Sequence, residues 1–286
     1  MLETASAKVI MAYRMRERLI ILERMSFAGN RDYPRALALA ERLADAARGI
    51  ARSYFRQPLD IELKADHSPV TIADRAIETE MRRLIRAEFP GHGIQGEEFP
   101  PQAGNEYIWV LDPIDGTKSF VSGMPLFGAL IALTQGGRAV LGVIEAPAMG
   151  ERWVGVAGAP SQCNGAPVRT SDCRSIEQAR VYSTTTDAFN AARLQRYESY
   201  SRRAALRRFG GDCYLYGMLA SGYCDLVIEA AMKPHDFLAL VPVVEGAGGH
   251  ISDWNGQPLT ADSGDAVLAA ATEELWTQAV AALAGD

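Results

Sequence analysis

Cysteine is scarce. Four residues, Cys163, Cys173, Cys213 and Cys224, are spread over 286 positions and none forms a C-x-x-C pair. That excludes a disulfide framework and a paired-thiolate zinc site, and it points to a reducing, cytoplasmic setting. Long apolar runs are missing too. No stretch reaches the ~18 to 20 consecutive apolar residues of a membrane span, and the N-terminus lacks an apolar segment with a small-residue cleavage site, so neither a membrane-spanning nor a secreted protein is expected. Positive charge is in deficit: 29 Lys and Arg against 35 Asp and Glu leave −6, so no global attraction to nucleic acid or anionic lipid follows. Any anion bound here meets a local site. Lysine is the rarer base, with only Lys8, Lys64, Lys118 and Lys233. Repeats and low-complexity tracts are absent, and 48% hydrophobic with 22% charged residues is ordinary globular composition.

At roughly 150 residues per domain the length suggests about two units. The expected division is an N-terminal extension over 1–32, an α+β half over 33–172 and an α/β half over 173–286. Ala36, Leu39, Ala40, Leu43, Ala46 and Ala47 recur at helical spacing, predicting a helix from Tyr33 to Phe55, and a second is expected from Thr71 to Glu88 before Pro90 and Gly91. Strand-like runs follow at Tyr107–Leu111, Leu126–Thr134, Ala139–Ile144 and Arg152–Ala157. The second half alternates strand and helix, with a helix expected over Phe237–Ala247, which argues for helices packed on a sheet. The arginines Arg193, Arg196, Arg202, Arg203, Arg207 and Arg208 form the one basic cluster, read as a solvated helix face.

Carboxylates gather in short segments: Asp74 in S-P-V-T-I-A-D, Glu97 and Glu98 in G-E-E, Asp112 and Asp115 in W-V-L-D-P-I-D-G-T, and Asp236 in K-P-H-D. The third is the most informative. An apolar strand is expected to break at Pro113, where a fixed φ and the freedom of Gly116 let two carboxylates and the Ile114 carbonyl converge. Two carboxylates ~4 Å apart repel by roughly 4 kcal/mol at an effective dielectric near 20, a cost that protonation or a cation must relieve. Oxygen-only donors suit a hard ion such as Mg²⁺. The same residues would equally favour an Asx turn with a capped helix behind it. If a helix starts at Lys118, the N–H groups of Gly116 and Thr117 form an anion site beside the cation site. The three-residue spacing of the acids disfavours an aspartyl nucleophile of the D-x-D kind; water is expected instead.

These segments, with H-D-F-L-A-L-V-P-V-V-E-G-A-G-G about 120 residues on, resemble the inositol monophosphatase family of Mg²⁺-dependent, lithium-sensitive phosphatases. The resemblance covers about residues 34 to 284 and implies a layered αβαβα sandwich of the inositol monophosphatase and fructose-1,6-bisphosphatase type. It implies Glu97, Asp112, the Ile114 carbonyl, Asp115 and Asp236 as ligands of two or three Mg²⁺ ions. Asp74 and Thr117 would orient the attacking water, with Glu98 beside the ligand shell. His235 departs from the family's usual Trp and reads as a wall residue or a base.

The phrases G-G-D-C-Y-L-Y-G-M-L-A-S-G-Y-C-D-L-V-I-E and M-K-P-H-D-F-L-A-L-V look most like the histidinol-phosphate phosphatase branch. The expected activity is therefore hydrolysis of L-histidinol phosphate in histidine synthesis, by a homodimer without nucleic-acid or membrane partners. Glu229 and Asp212 are the candidate substrate contacts; a strand-end Glu and an ordinary N-cap Asp are the plainer readings. Lys64 and Lys118 would lie near the phosphate or on the surface. The alternatives are an inositol-1-phosphate or broad sugar-phosphate phosphatase and, from another class, a non-catalytic regulator that has kept the fold.

Overall fold

The computed structural model describes residues 33–58, 61–63 and 69–285. The expected extension over 1–32 and Lys64 lie outside them. Helix α1 (Tyr33–Tyr54) buries an alanine- and leucine-lined stripe, Ala36, Leu39, Ala40, Leu43, Ala44, Ala47 and Ala51, as its periodicity predicts. Two short strands, β1 (Ile61–Leu63) and β2 (Pro69–Thr71), pair antiparallel. Thr71 then caps α2 (Ile72–Glu88) in a capping box with Asp74. The capping box fixes where the helix starts and which way Asp74 faces.

Strands β3 (Gly93–Gly96), β4 (Tyr107–Asp115), β5 (Gly128–Gln135), β6 (Arg138–Ala146), β7 (Glu151–Val156), β8 (Gln162–Cys163) and β9 (Ala166–Pro167) form a seven-stranded sheet in that order. Strands β8 and β9 form a hairpin with Asn164 and Gly165 both at positive φ, the pairing a two-residue turn requires. A five-stranded sheet runs β11 (Leu206–Phe209), β10 (Arg180–Ser183), β12 (Leu226–Glu229), β14 (Val267–Ala270), β13 (His250–Ser252). Its helices are α4 (Ala191–Ser201), α5 (Tyr214–Ala220), α6 (Pro234–Phe237), α7 (Leu240–Gly246) and α8 (Glu273–Leu283); a five-residue helix, α3 (Thr117–Val121), follows β4.

Three apolar cores hold five layers together, the middle layer of helices lying within the second core. The first joins α1 and α2 to one face of the seven-stranded sheet, the second joins the other face to α5, α6, α7 and the five-stranded sheet, and the third joins that sheet to α4 and α8. The order is α, β, α, β, α, as the motifs imply. The middle layer approaches closely because β6 and β7 carry glycine where it lands. A Cβ at Gly142 would stand 2.0 Å from the Ala239 carbonyl oxygen, and one at Gly155 2.3 Å from Pro242. This packing carries the α6–α7 segment, and Asp236 with it, over the seven-stranded sheet.

One expectation is corrected. The helix foreseen over Phe237–Ala247 starts earlier, at Pro234, and is interrupted at Leu238 and Ala239. Pro242 accounts for the interruption: it lacks the N–H that would bond the Leu238 carbonyl, and its ring crowds that carbonyl. In the arginine cluster, Arg193 pairs with Asp265, Arg203 with Glu177, and Arg202 and Arg207 with Glu198.

Candidate active site

The strand expected to break at Pro113 instead continues to Asp115 through a bulge. Asp112 pairs with Leu130 and Asp115 with Gly128, so two residues of β4 oppose one of β5. An odd spacing of three would place the two acids on opposite faces; the extra residue restores them to the same one. Pro113 is tolerated because bulges need no ladder N–H there. The Asx-turn reading also holds, for the Ile114 N–H donates to Asp112 Oδ1 at 3.1 Å.

Asp236, at the start of α6, completes a triad. One carboxylate oxygen from each of Asp112, Asp115 and Asp236 lies within 4.8 Å of the others, so any two ionised members repel by about 3 kcal/mol or more at an effective dielectric near 20. Asp112 is only 2% exposed. Burial, then the charges of Glu97, Asp115, Asp236 and Asp74, push its carboxyl well above the usual carboxylate range. Burial and the charges of Asp212 and Asp236 do the same to Asp115, opposed by the Cys213 N–H that donates to its Oδ2 at 2.6 Å. Asp236 is raised by burial, with the charge of Glu97 adding to it, while its Oδ2 accepts the Lys233 N–H at 2.7 Å.

Glu97 is half-buried on the turn after β3, outside the group of acids whose oxygens meet within 4.8 Å, and its charge raises the carboxyls of Asp74, Asp112 and Asp236 alike. Asp74 contributes an unusual atom. Its Oδ2 accepts both the N–H and the hydroxyl of Thr71, whereas Oδ1 is buried without any hydrogen-bond partner. Thr117 does not bond Asp74; its hydroxyl donates to the Ile114 carbonyl at 3.0 Å. Buried oxygens on carboxyls that burial and one another's charge make harder to ionise, an orphaned carboxylate oxygen among them and no nitrogen or sulfur donor in the triad fit a hard divalent cation. His235 is buried with Nε2 3.3 Å from Asp236 Oδ1, a wall beside that acid.

Gly116 caps α3 at φ 79°, and a Cβ there would come within 2.7 Å of the Asp212 carboxylate. Asp212 therefore reaches across to the β4 turn instead of capping α5, whose cap, Cys213, makes no side-chain bond. Ser119 donates to Asp212 Oδ2 at 2.7 Å, and the Asp212 N–H donates to Thr184 Oγ1 at 3.1 Å. Burial raises the Asp212 carboxyl, with the Ser119 hydrogen bond and the charge of exposed Lys118 opposing. Glu229, at the end of β12, accepts the Thr184 N–H at 2.8 Å and the Tyr216 hydroxyl at 2.9 Å. A cavity of about 200 Å³ beside the triad is lined by Asp115, Asp212, Glu229 and Asp236, together with Thr184 and Met232 among others. Thr184, Ser119 and Tyr216 escaped the sequence reading. The position of Thr184 just past the end of a parallel strand was the available signal, since ligands gather at carboxyl ends.

The fold and site thus define a layered α/β protein with a triad of acids converging at a strand end. The family profile described as inositol monophosphatase matches residues 32–285. A chloroplastic bifunctional phosphatase of Arabidopsis thaliana is 46% identical over 226 residues, covering 78% of this chain; the match spans 65% of the plant protein. A histidinol-phosphatase of Chlorobaculum parvum is 38% identical over 224 residues, 77% of this chain and 86% of its own. The structure of an inositol monophosphatase from Zymomonas mobilis superposes with a TM-score of 0.81 at 44% identity, over 89% of this chain and 99% of that one. The chain belongs to the inositol monophosphatase family, whose members are metal-dependent, and it is a phosphomonoesterase.

Proposed function

We propose that this chain hydrolyses L-histidinol phosphate to L-histidinol and phosphate with Mg²⁺, as a cytoplasmic homodimer. The acidic cavity carries the reading: Asp115, Asp212, Glu229 and Asp236 line it, and among the described residues no Lys, Arg or His does. Histidinol phosphate brings an ammonium on the carbon beside its phosphate-bearing methylene, and an imidazole that is cationic below ~6.5. A charge-assisted hydrogen bond to that ammonium contributes roughly 1.5 to 3 kcal/mol, against about 0.5 to 1.5 for a hydroxyl of a neutral polyol. The name of the Chlorobaculum parvum relative supports the same choice. A second reading, an inositol-1-phosphate or broad sugar-phosphate phosphatase, is favoured by the likeness to the Zymomonas mobilis enzyme. A non-catalytic regulator is opposed by the intact acids.

In this reading Glu97, Asp112, the Ile114 carbonyl, Asp115 and Asp236 hold two or three ions. Bound there, the ions polarise the phosphoryl group and offset charge on the entering and leaving oxygens. Asp74 Oδ1, buried and unpartnered, accepts one proton of the attacking water. Thr117 Oγ1 spends its own proton on the Ile114 carbonyl and keeps a lone pair for the water's other proton. With both protons held, the water's oxygen faces phosphorus, and no aspartyl-phosphate forms. Glu98 stands beside this group on the same turn as Glu97. The N–H groups of Gly116 and Thr117 bind the phosphate as local donors, because a five-residue helix develops little macrodipole. Glu229 and Asp212 receive the ammonium.

Glu229→Gln and Asp212→Asn should each lower kcat/KM for histidinol phosphate about tenfold more than for glycerol 2-phosphate, the equivalent of ~1.4 kcal/mol. Steady-state phosphate release on both substrates measures it. Equal losses on the two would assign these acids to the fold and remove the cationic-substrate reading.

A further inference from the structure

Helix α2 presents three buried charged residues one turn apart, Asp74, Glu78 and Arg82, at 1%, 0% and 4% exposure. Asp74 faces the triad, but the other two face the turn after β3. Glu78 Oε1 accepts Arg82 Nε at 2.7 Å, and Glu78 Oε2 accepts the Glu98 N–H at 2.7 Å. Arg82 Nη2 donates to the Phe99 carbonyl at 3.0 Å, and its guanidinium lies 5.8 Å from the Phe99 ring centroid. On the near side, a Cβ at Gly96 would fall 2.0 Å from Glu78 Oε1, so glycine alone lets β3 end against this carboxylate. The backbone before Glu97 and the backbone after it are therefore both set by one buried ion pair.

A buried pair of this kind is weak evidence for stability, because desolvation offsets most of its attraction. An apolar pair of equal volume would fill the space, yet it would bond neither the Glu98 N–H nor the Phe99 carbonyl. We propose that Glu78 and Arg82 are positioning residues that hold the Glu97 turn in the geometry in which its carboxylate joins Asp112 and Asp236 around a divalent cation. The inference rests on the reading of Glu97 as a cation ligand. Hydrogen-bonded supports behind metal ligands typically change affinity 10- to 100-fold when removed.

The test uses the full chain stripped of divalent ions and titrated with Mg²⁺ by calorimetry, beside circular dichroism of the same samples. Glu78→Gln keeps an acceptor oxygen but loses the charge that grips Arg82. Arg82→Lys keeps a charge but loses the fork that reaches both Glu78 and Phe99, and it carries the test if the first variant does not fold. Either folded variant should bind Mg²⁺ about 10-fold or more weakly and need correspondingly more Mg²⁺ for half-maximal phosphate release, with kcat at saturating Mg²⁺ within a few-fold of the parent. Unchanged Mg²⁺ affinity in a folded variant would overturn the positioning role. Glu97→Gln serves as the separate control: if it binds Mg²⁺ like the parent, the ligand reading of Glu97 fails; if it binds weakly while Glu78→Gln and Arg82→Lys do not, only the positioning role fails.

Discussion

Asp112→Asn is expected to lower kcat for phosphate release by about three orders of magnitude, corresponding to ~4 kcal/mol of lost transition-state stabilisation. Asn is nearly isosteric and can still accept the Ile114 N–H at the Oδ1 position, so the bulge and the fold should survive. The stability of the metal-free protein should move the other way. Burial and the charges around Asp112 raise its carboxyl in the folded chain. Its contribution therefore favours folding below the unfolded value of about 3.9 and is lost as pH rises through the folded value. At neutral pH the metal-free Asn variant should melt no lower than the metal-free parent, while the gain in melting temperature on adding Mg²⁺ should shrink. A variant that melts well below the parent without metal, or keeps near-parent turnover, would contradict this assignment.

The largest effect on stability is expected at Glu145. This β6 carboxylate is fully buried and accepts Arg48 Nε at 2.5 Å and Arg152 Nε at 2.6 Å; Arg152 also reaches Asp45 at 2.6 Å. The network ties α1 to the sheet from beneath. Glu145→Ala leaves two partly buried guanidinium groups without their shared acceptor, which should cost about 3 to 5 kcal/mol and lower the melting temperature by on the order of 10 °C. Replacing Arg48 and Arg152 with Met alongside Glu145→Leu should recover most of that loss, because a matched apolar set has no charge to strand. A fall of under about 1 kcal/mol in Glu145→Ala would mean the arginines simply turn to water, a route open to Arg48 at 28% exposure.

The legible part of the sequence was its local chemistry. Asp112 and Asp115 meet around Pro113 and Gly116 as expected, Asp236 joins them as the resemblance implies, and the α1 stripe and the end of α2 at Glu88 fall where the sequence pattern placed them. Harder to see was anything that depends on a second element. The parity of the two acids required a bulge against β5, which a single strand does not reveal. Glu78 and Arg82 belong to no motif, and only the packing of β3 against them shows that they are buried. For Asp212 a helix cap was the plainer of two readings, and only the absence of a Cβ at Gly116 lets it cross to Ser119. The Pro242 interruption was readable in principle, but the apolar run from Phe237 onward hid it.

The account is tested most directly by kcat/KM of the purified full chain in Mg²⁺ for L-histidinol phosphate and for inositol 1-phosphate under one buffer. The acidic cavity predicts a preference for histidinol phosphate of at least about tenfold, the equivalent of one favourable charge-assisted contact of ~1.4 kcal/mol, and no release of phosphate from either substrate in EDTA. Equal or better turnover of inositol 1-phosphate would contradict the substrate, and undiminished turnover in EDTA would contradict the metal site itself.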